Sequence, residues 1–128
     1  MLSKKKVSPK VTASLSVEIL EEICSLELNS ITKSIHHRVR ELGTKLKKLK
    51  LLKFKITPTK KSLEKSIVRL LELREISKEI EFLAHKIGKS HDKFILPDIK
   101  NAIHLAKSAG KSALESIKVN KLALKKKD

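Results

Sequence analysis

The chain has 128 residues, with thirty lysines and arginines against fourteen acids, a formal net charge of +16, and a 40% apolar share. That length suits one domain, and the apolar share excludes a disordered basic tail, which would be poor in hydrophobic residues. The charge excess concerns partners rather than fold and points to phosphate-rich surfaces. Aromatics make up only 2%, with no Trp or Tyr, which argues against single-strand binders and RNA-recognition sheets that stack bases on aromatic rings. A duplex backbone held by lysines needs none.

Residues 1–13 form a basic, Ser/Thr-bearing arm containing Pro9, read as a mobile tail. Basic Met1-Leu2-Ser3-Lys4-Lys5-Lys6 is followed by no apolar signal core. Apolar residues then recur every three to five positions from Leu15 through Ile19, Ile23, Leu26, Ile31, Ile35 and Val39 to Leu42. This predicts a helix over 14–42. Ser14 or Ser16 can cap it, acids fill its first turns, Arg38 and Arg40 its last, and Gly43 stops it. The stretch 44–56 is the most basic, with no acid between Glu41 and Glu64. Its first half has helical spacing and its second half alternates, so it reads as a short helix leaving through an extended loop.

The longest helix is predicted over 58–87. Thr57 is its cap, Pro58 its first position, and its stripe runs from Leu63 through Leu70, Ile76, Ile80 and Leu83 to Ile87. A loop over 89–96 leads to Pro97-Asp98, which opens a short helix bearing Ile99 and Ile103; Gly110 punctuates, and a final helix starts near Ser112. The fold class is therefore all-α. Candidate units are a tail (1–13), an N-terminal helix (14–43), a core (44–110) and a C-terminal helix with a basic tail (111–128). No apolar run reaches membrane-spanning length. The lone Cys24 allows no internal disulfide, sits mid-stripe as a buried structural thiol, and favours a reduced intracellular compartment.

The stretch from Phe82 to Ser90 resembles the end of a core histone's central helix running into its basic second loop. Phe94-Ile95-Leu96-Pro97-Asp98-Ile99-Lys100-Asn101-Ala102-Ile103 resembles the loop strand and third helix of core and archaeal histones. Gly110 to Lys121 resembles the extra C-terminal helix of the 2B-type core histone, and Ile56 to Lys61 sits where that family has its first loop. The resemblance covers about half of the chain. It implies a histone-like fold of short, long and short helices, with an extra N-terminal and a C-terminal helix, in a divergent member of viral or prokaryotic type. A second register makes 14–42 the central helix and 60–73 the third, and leaves no first helix. The chain departs from the family in relying on lysine, with arginine only at 38, 40, 69 and 74.

The candidate nucleic-acid contacts are Lys45, Lys47, Lys48, Lys50, Lys53, Lys55, Lys60 and Lys61, a run with no interleaved acid. The resemblance adds Lys86, Lys89 and Lys93 of the second loop, which in a histone dimer lies beside the partner's first loop. It also implies a dimer interface at Leu70, Ile76, Ile80, Leu83, Ile99 and Ile103 with a second histone-fold chain, identical or different. Asp98 would brace the second loop by pairing with Lys89 or Lys93, or simply suit a helix's first turn. The five histidines and one cysteine lack metal-ligand spacing. No phosphate loop or nucleophile elbow is present, so no metal, cofactor or catalytic site is expected. The expected function is sequence-nonspecific binding and compaction of duplex DNA, located with DNA in a nucleus, nucleoid or viral chromatin. Two alternatives use the same charge: a ribosome- or RNA-associated protein, and an anionic-membrane or effector-type interaction protein.

Overall fold

The computed structural model describes residues 8–26, 30–52, 58–89 and 95–127. The readings placed on residues 1–7, Lys53, Lys55, Lys93, Phe94 and the alternating loop end at 54–56 lie outside the described residues.

Helix α1 spans Pro9–Leu26. Ser8 caps it, accepting the Lys10 N–H on Oγ at 3.3 Å, with Pro9 at the first helical position. The expected start near Ser14 is thus corrected to Pro9. Helix α2 spans Ser30–Lys48, so the single helix expected over 14–42 is two. The reason lies in the stripe's phase. The step from Leu26 to Ile31 is about 140° out of line on one helix, and Leu26 is 74% exposed. The new stripe of Ile35, Val39, Leu42, Leu46 and Leu49 is buried and runs through Gly43. The first half of the expected short helix at 44–56 is therefore the last turns of α2.

Helix α3 spans Lys60–Lys89, close to expectation, but Pro58 precedes the helix instead of opening it, and Thr57 lies outside the described residues. Its cap is Thr59, whose Oγ1 accepts the Ser62 N–H at 3.1 Å, while Ser62 Oγ accepts the Thr59 N–H at 2.9 Å. This reciprocal pair places Ser62 where a capping box usually has Glu or Gln. Helix α4 spans Leu96–Lys125 without a break at Gly110. Ile99, Ala102, Ala106, Ala109, Ala113 and Ile117 keep one buried stripe on both sides of the glycine. The two helices expected there are one, and the short helices expected on either side of the long one become parts of α2 and α4. Among the described residues the fold is all-α.

Contacts fix the topology. Gly43 on α2 lies against Val17 and Glu21 on α1. Arg38 and Lys50 on the α2 side meet Glu79 and Arg69 on α3. Along α3 and α4, Ser66 meets Asn120, Ser77 meets Gly110, and Gly88 meets Ile99. Ser16 Oγ on α1 donates to the Ala102 carbonyl of α4 at 2.6 Å, and the α1 start faces Ser112–Asn120. Each neighbouring pair runs antiparallel, giving an up-down-up-down four-helix bundle with α1 diagonal to α3. Leu20, Leu42, Leu46, Leu73, Ile80, Ile87 and Ile117 are almost fully buried on its axis. Burying each contributes roughly 1.5–3 kcal/mol. The two 30-residue helices are about 45 Å long, against about 27 Å for α1. The start of α3 and the end of α4 consequently project past α1 and α2. Among the described residues, no helix is long and apolar enough to cross a membrane.

Candidate nucleic-acid interface

The antiparallel pairing of α2 and α3 sets the end of α2 beside Arg69 and Glu72 in the first half of α3. Lys61, Lys65 and Arg69 stand four apart on α3 and so form one row on that helix. Lys45 and Lys48, three apart near the end of α2, face Arg69 across a groove of about 320 Å³ that Lys50 and Glu72 also line, while Lys61 and Lys65 continue the row past the end of α2. Lys45, Lys48, Lys50, Lys61 and Lys65 are exposed. They take part in no ion pair among the described residues. Like charges four apart destabilise a helix by roughly 0.2–0.5 kcal/mol per pair, and both Lys61–Lys65 and Lys65–Arg69 are such pairs. The row therefore costs stability until an anion neutralises it.

Two contacts hold this face in shape. Arg38 of α2 donates from Nε and Nη2 to both carboxylate oxygens of Glu79 on α3, with the Nη2–Oε1 distance 2.7 Å. The hydrogen bonding from Arg38, helped by the charges of Arg38 and Lys45, holds the Glu79 carboxyl below the usual carboxylate range against the opposing effect of burial. The same bonding raises the Arg38 pKa further above its already high ordinary value. Farther along, Arg69 Nη1 donates to the Lys50 carbonyl at 2.7 Å and pins the chain leaving α2 onto α3. The lysines of α2 and α3 thus sit on a braced surface.

The residues expected from the sequence divide. Lys45, Lys48 and Lys50 line this groove and Lys61 lies on the α3 row beyond it, whereas Lys47 turns toward the α1–α2 groove with Arg40 and Thr44. Lys60 lies about 100° around α3 from Lys61. Lys86 and Lys89 occupy the other end of α3, about 38 and about 42 Å from Lys61 along the helix, with the Lys86 ammonium 4.9 Å from the Phe82 ring centroid. Within one chain they do not join the first cluster. Sequence reasoning missed Lys65 and Arg69, although their spacing from Lys61 was a legible signal. It also assigned nothing to Lys118, Lys121 and Lys125, which the antiparallel α3–α4 pairing brings back beside the start of α3.

The residues expected to face a partner chain have other neighbours. Leu70, Ile76, Ile80, Leu83 and Ile99 are buried within this chain, and Ile103 is half-buried against the same core. The chain's own helices cover the surface that a crossing partner helix would need. Asp98 is exposed in the first turn of α4; Lys89 lies at the neighbouring end of α3, where Gly88 packs on Ile99, but makes no ion pair with it among the described residues, and Lys93 lies outside them. Cys24 is buried, its thiol pushed up to about 11 first by burial and then by the Glu21 charge.

Searches of protein-family models, curated proteins and solved structures find no match to this chain.

Proposed function

We propose that the chain binds the phosphate backbone of duplex DNA without reading sequence, through the α2–α3 face, as a chromatin- or nucleoid-type protein. One observation carries the reading: Lys45, Lys48, Lys50 and Arg69 line one groove between α2 and α3, and Lys61 and Lys65 continue the Arg69 row along α3 beyond it, with Glu72 in the groove and Glu75 and Glu79 farther along the same side. Lysine ammonium groups are point charges on flexible stems, suited to phosphates and poor at fork-like base recognition. Aromatic scarcity favours a duplex over a stacked single strand. An intracellular, DNA-associated location follows from this reading, and it requires no cofactor and no catalysis. The histone-type proposal supplies the same chemistry but adds a partner chain. With the expected interface residues buried in the bundle, the present reading rests on one chain's surface and needs no such partner.

The test is fluorescence anisotropy with random-sequence duplex across a salt series, with structured RNA and anionic vesicles as competitors. Five neutralised phosphates give a log–log slope of about −4.5, or roughly a 500-fold loss of affinity between 50 and 200 mM salt. Lys48→Glu and Lys61→Glu should each weaken binding equally across sequences and flatten the slope by about one. A flat salt response, or tighter binding to RNA or vesicles, would refute the reading.

A further inference from the structure

The unbroken α4 has a consequence on its outer side. Lys100, Lys107, Lys111, Lys118 and Lys125 are spaced by seven, four, seven and seven residues, all close to whole numbers of helical turns. They therefore form one ladder along the whole helix, and all five are exposed. The ladder is about 38 Å long, near one turn of duplex. It runs beside a groove of about 230 Å³ between α3 and α4, to which Arg74 and Lys78 contribute from the α3 side. Gly110 lines the middle of that groove, so no side chain stands between Lys107 and Lys111 there. Glu81 is the acid lining it, 3.7 Å from Lys107. In a square bundle this face adjoins the α2–α3 face at about a right angle. The α3 ridge between the two carries exposed Glu64, Val68, Leu71 and Glu75, followed by Lys78, which pairs with Glu75 at 3.7 Å.

We propose that the α3–α4 face is a second track for a phosphate backbone, so that one chain holds two duplexes on adjacent faces and ties them together. The proposal rests on the duplex-binding reading above and extends it from binding to bridging. The geometry favours two tracks over one wide site because the acidic and apolar ridge would lie beneath a duplex laid across both faces. The two remaining faces meet at α1 and carry Glu18, Glu21 and Glu22 or an array of serines and threonines. Lys33, Arg40 and Lys47 are spaced by seven on α2, but Glu18 and Glu21 line the same α1–α2 groove as Arg40 and Lys47 and offset their charge there.

The experiment uses the full chain with one duplex fixed on beads and a second, labelled duplex in solution. Duplex binding is measured in parallel by anisotropy, and helical content by circular dichroism. The variants are Lys107→Glu/Lys111→Glu/Lys118→Glu on the second face and Lys45→Glu/Lys48→Glu/Lys61→Glu on the first. Wild type should retain the labelled duplex on the beads. Both triple variants should keep their helical content; the second-face variant should bind single duplexes within about tenfold of wild type while retaining at least tenfold less labelled duplex, and the first-face variant should lose single-duplex affinity together with bridging. Bridging by the second-face variant at the wild-type level would overturn the proposal, since two first faces brought together by self-association would then explain it. Wild type that binds duplex in anisotropy yet retains no second duplex would overturn the bridging alone. Wild type that binds no duplex at all would remove the parent reading, and this inference with it.

Discussion

Replacing Gly110 by alanine tests the continuity of α4. If two helices met at Gly110, the glycine would serve as a junction in the left-handed region, where a side chain is strained. In this structure no glycine has a positive φ, and Gly110 lies inside a helix. A Cβ built there meets Ser77 Cβ at 3.5 Å, an ordinary contact. The full preference of a helix interior for alanine over glycine, about 0.8–1 kcal/mol, should therefore appear as added stability. For a chain of this size that is a rise of roughly 3–5 °C in Tm. Gly43 and Gly88 are the internal controls. Their Cβ atoms would sit 3.2 Å from Val17 Cγ1 and 3.3 Å from Ile99 Cγ2, so crowding should cancel or reverse the gain. Urea unfolding followed by circular dichroism, with an unchanged m value, reads all three. Loss of stability in Gly110→Ala, or equal gains in all three variants, would refute the continuous helix and its packing.

Glu79 should make the fold acid-sensitive. Its carboxyl titrates lower in the fold than in the unfolded chain, so its contribution is full above about pH 4.3 and is lost as pH falls through the folded value. Wild type should lose more stability than Glu79→Gln between pH 5 and pH 3, seen as a larger drop in urea midpoint. At neutral pH the Arg38 pair, about one third exposed, is worth only about 1 kcal/mol. Cys24 behaves in the opposite sense. With the thiol raised to about 11 in the fold, its contribution is full below the unfolded value near 8.5 and falls as pH rises toward 11. Iodoacetamide at pH 7.5 should label the native chain at least tenfold more slowly than the urea-unfolded chain, and equal rates would place the thiol at the surface. Ser16→Ala removes the 2.6 Å bond to the Ala102 carbonyl between α1 and α4 and should lower stability by about 1 kcal/mol in thermal unfolding. An unchanged Tm would show that bond to be dispensable.

The long helix was legible because its apolar period holds from Leu63 to Ile87 and a Thr-Pro start precedes it. The lysine cluster at 45–61 was legible as charge, and part of it does gather on one face. The glycines misled for a physical reason. A glycine after a periodic run usually marks a helix end, but Gly43, Gly88 and Gly110 lie within helices and face side chains of neighbouring helices. Sequence alone does not separate a stop from a close approach, because both exploit the missing Cβ. Reading Gly110 as a stop broke α4 in two and hid the lysine ladder, whose spacing has meaning only on an unbroken helix. The division between α1 and α2 was available in the out-of-phase step from Leu26 to Ile31. The pairing of helices, which sends Lys86 and Lys89 to the far end and returns Lys118 and Lys125 to the near one, depends on contacts between residues distant in the chain. No local pattern encodes it.

The diagonal placement of α1 and α3 also gives the molecule an electrical front and back. Glu18, Glu21 and Glu22 cluster on α1 at one corner, while the two lysine-bearing faces meet at α3 on the opposite corner. The resulting dipole has a component across the bundle's width, besides the one that the lysines gathered at the start of α3 and the end of α4 set along its axis. In the field of a polyanion it exerts a torque that turns the α3 edge forward during diffusion, before any side chain makes contact. Capture would then begin from a biased set of orientations, fast at low ionic strength and slower once salt screens the field beyond roughly 10 Å.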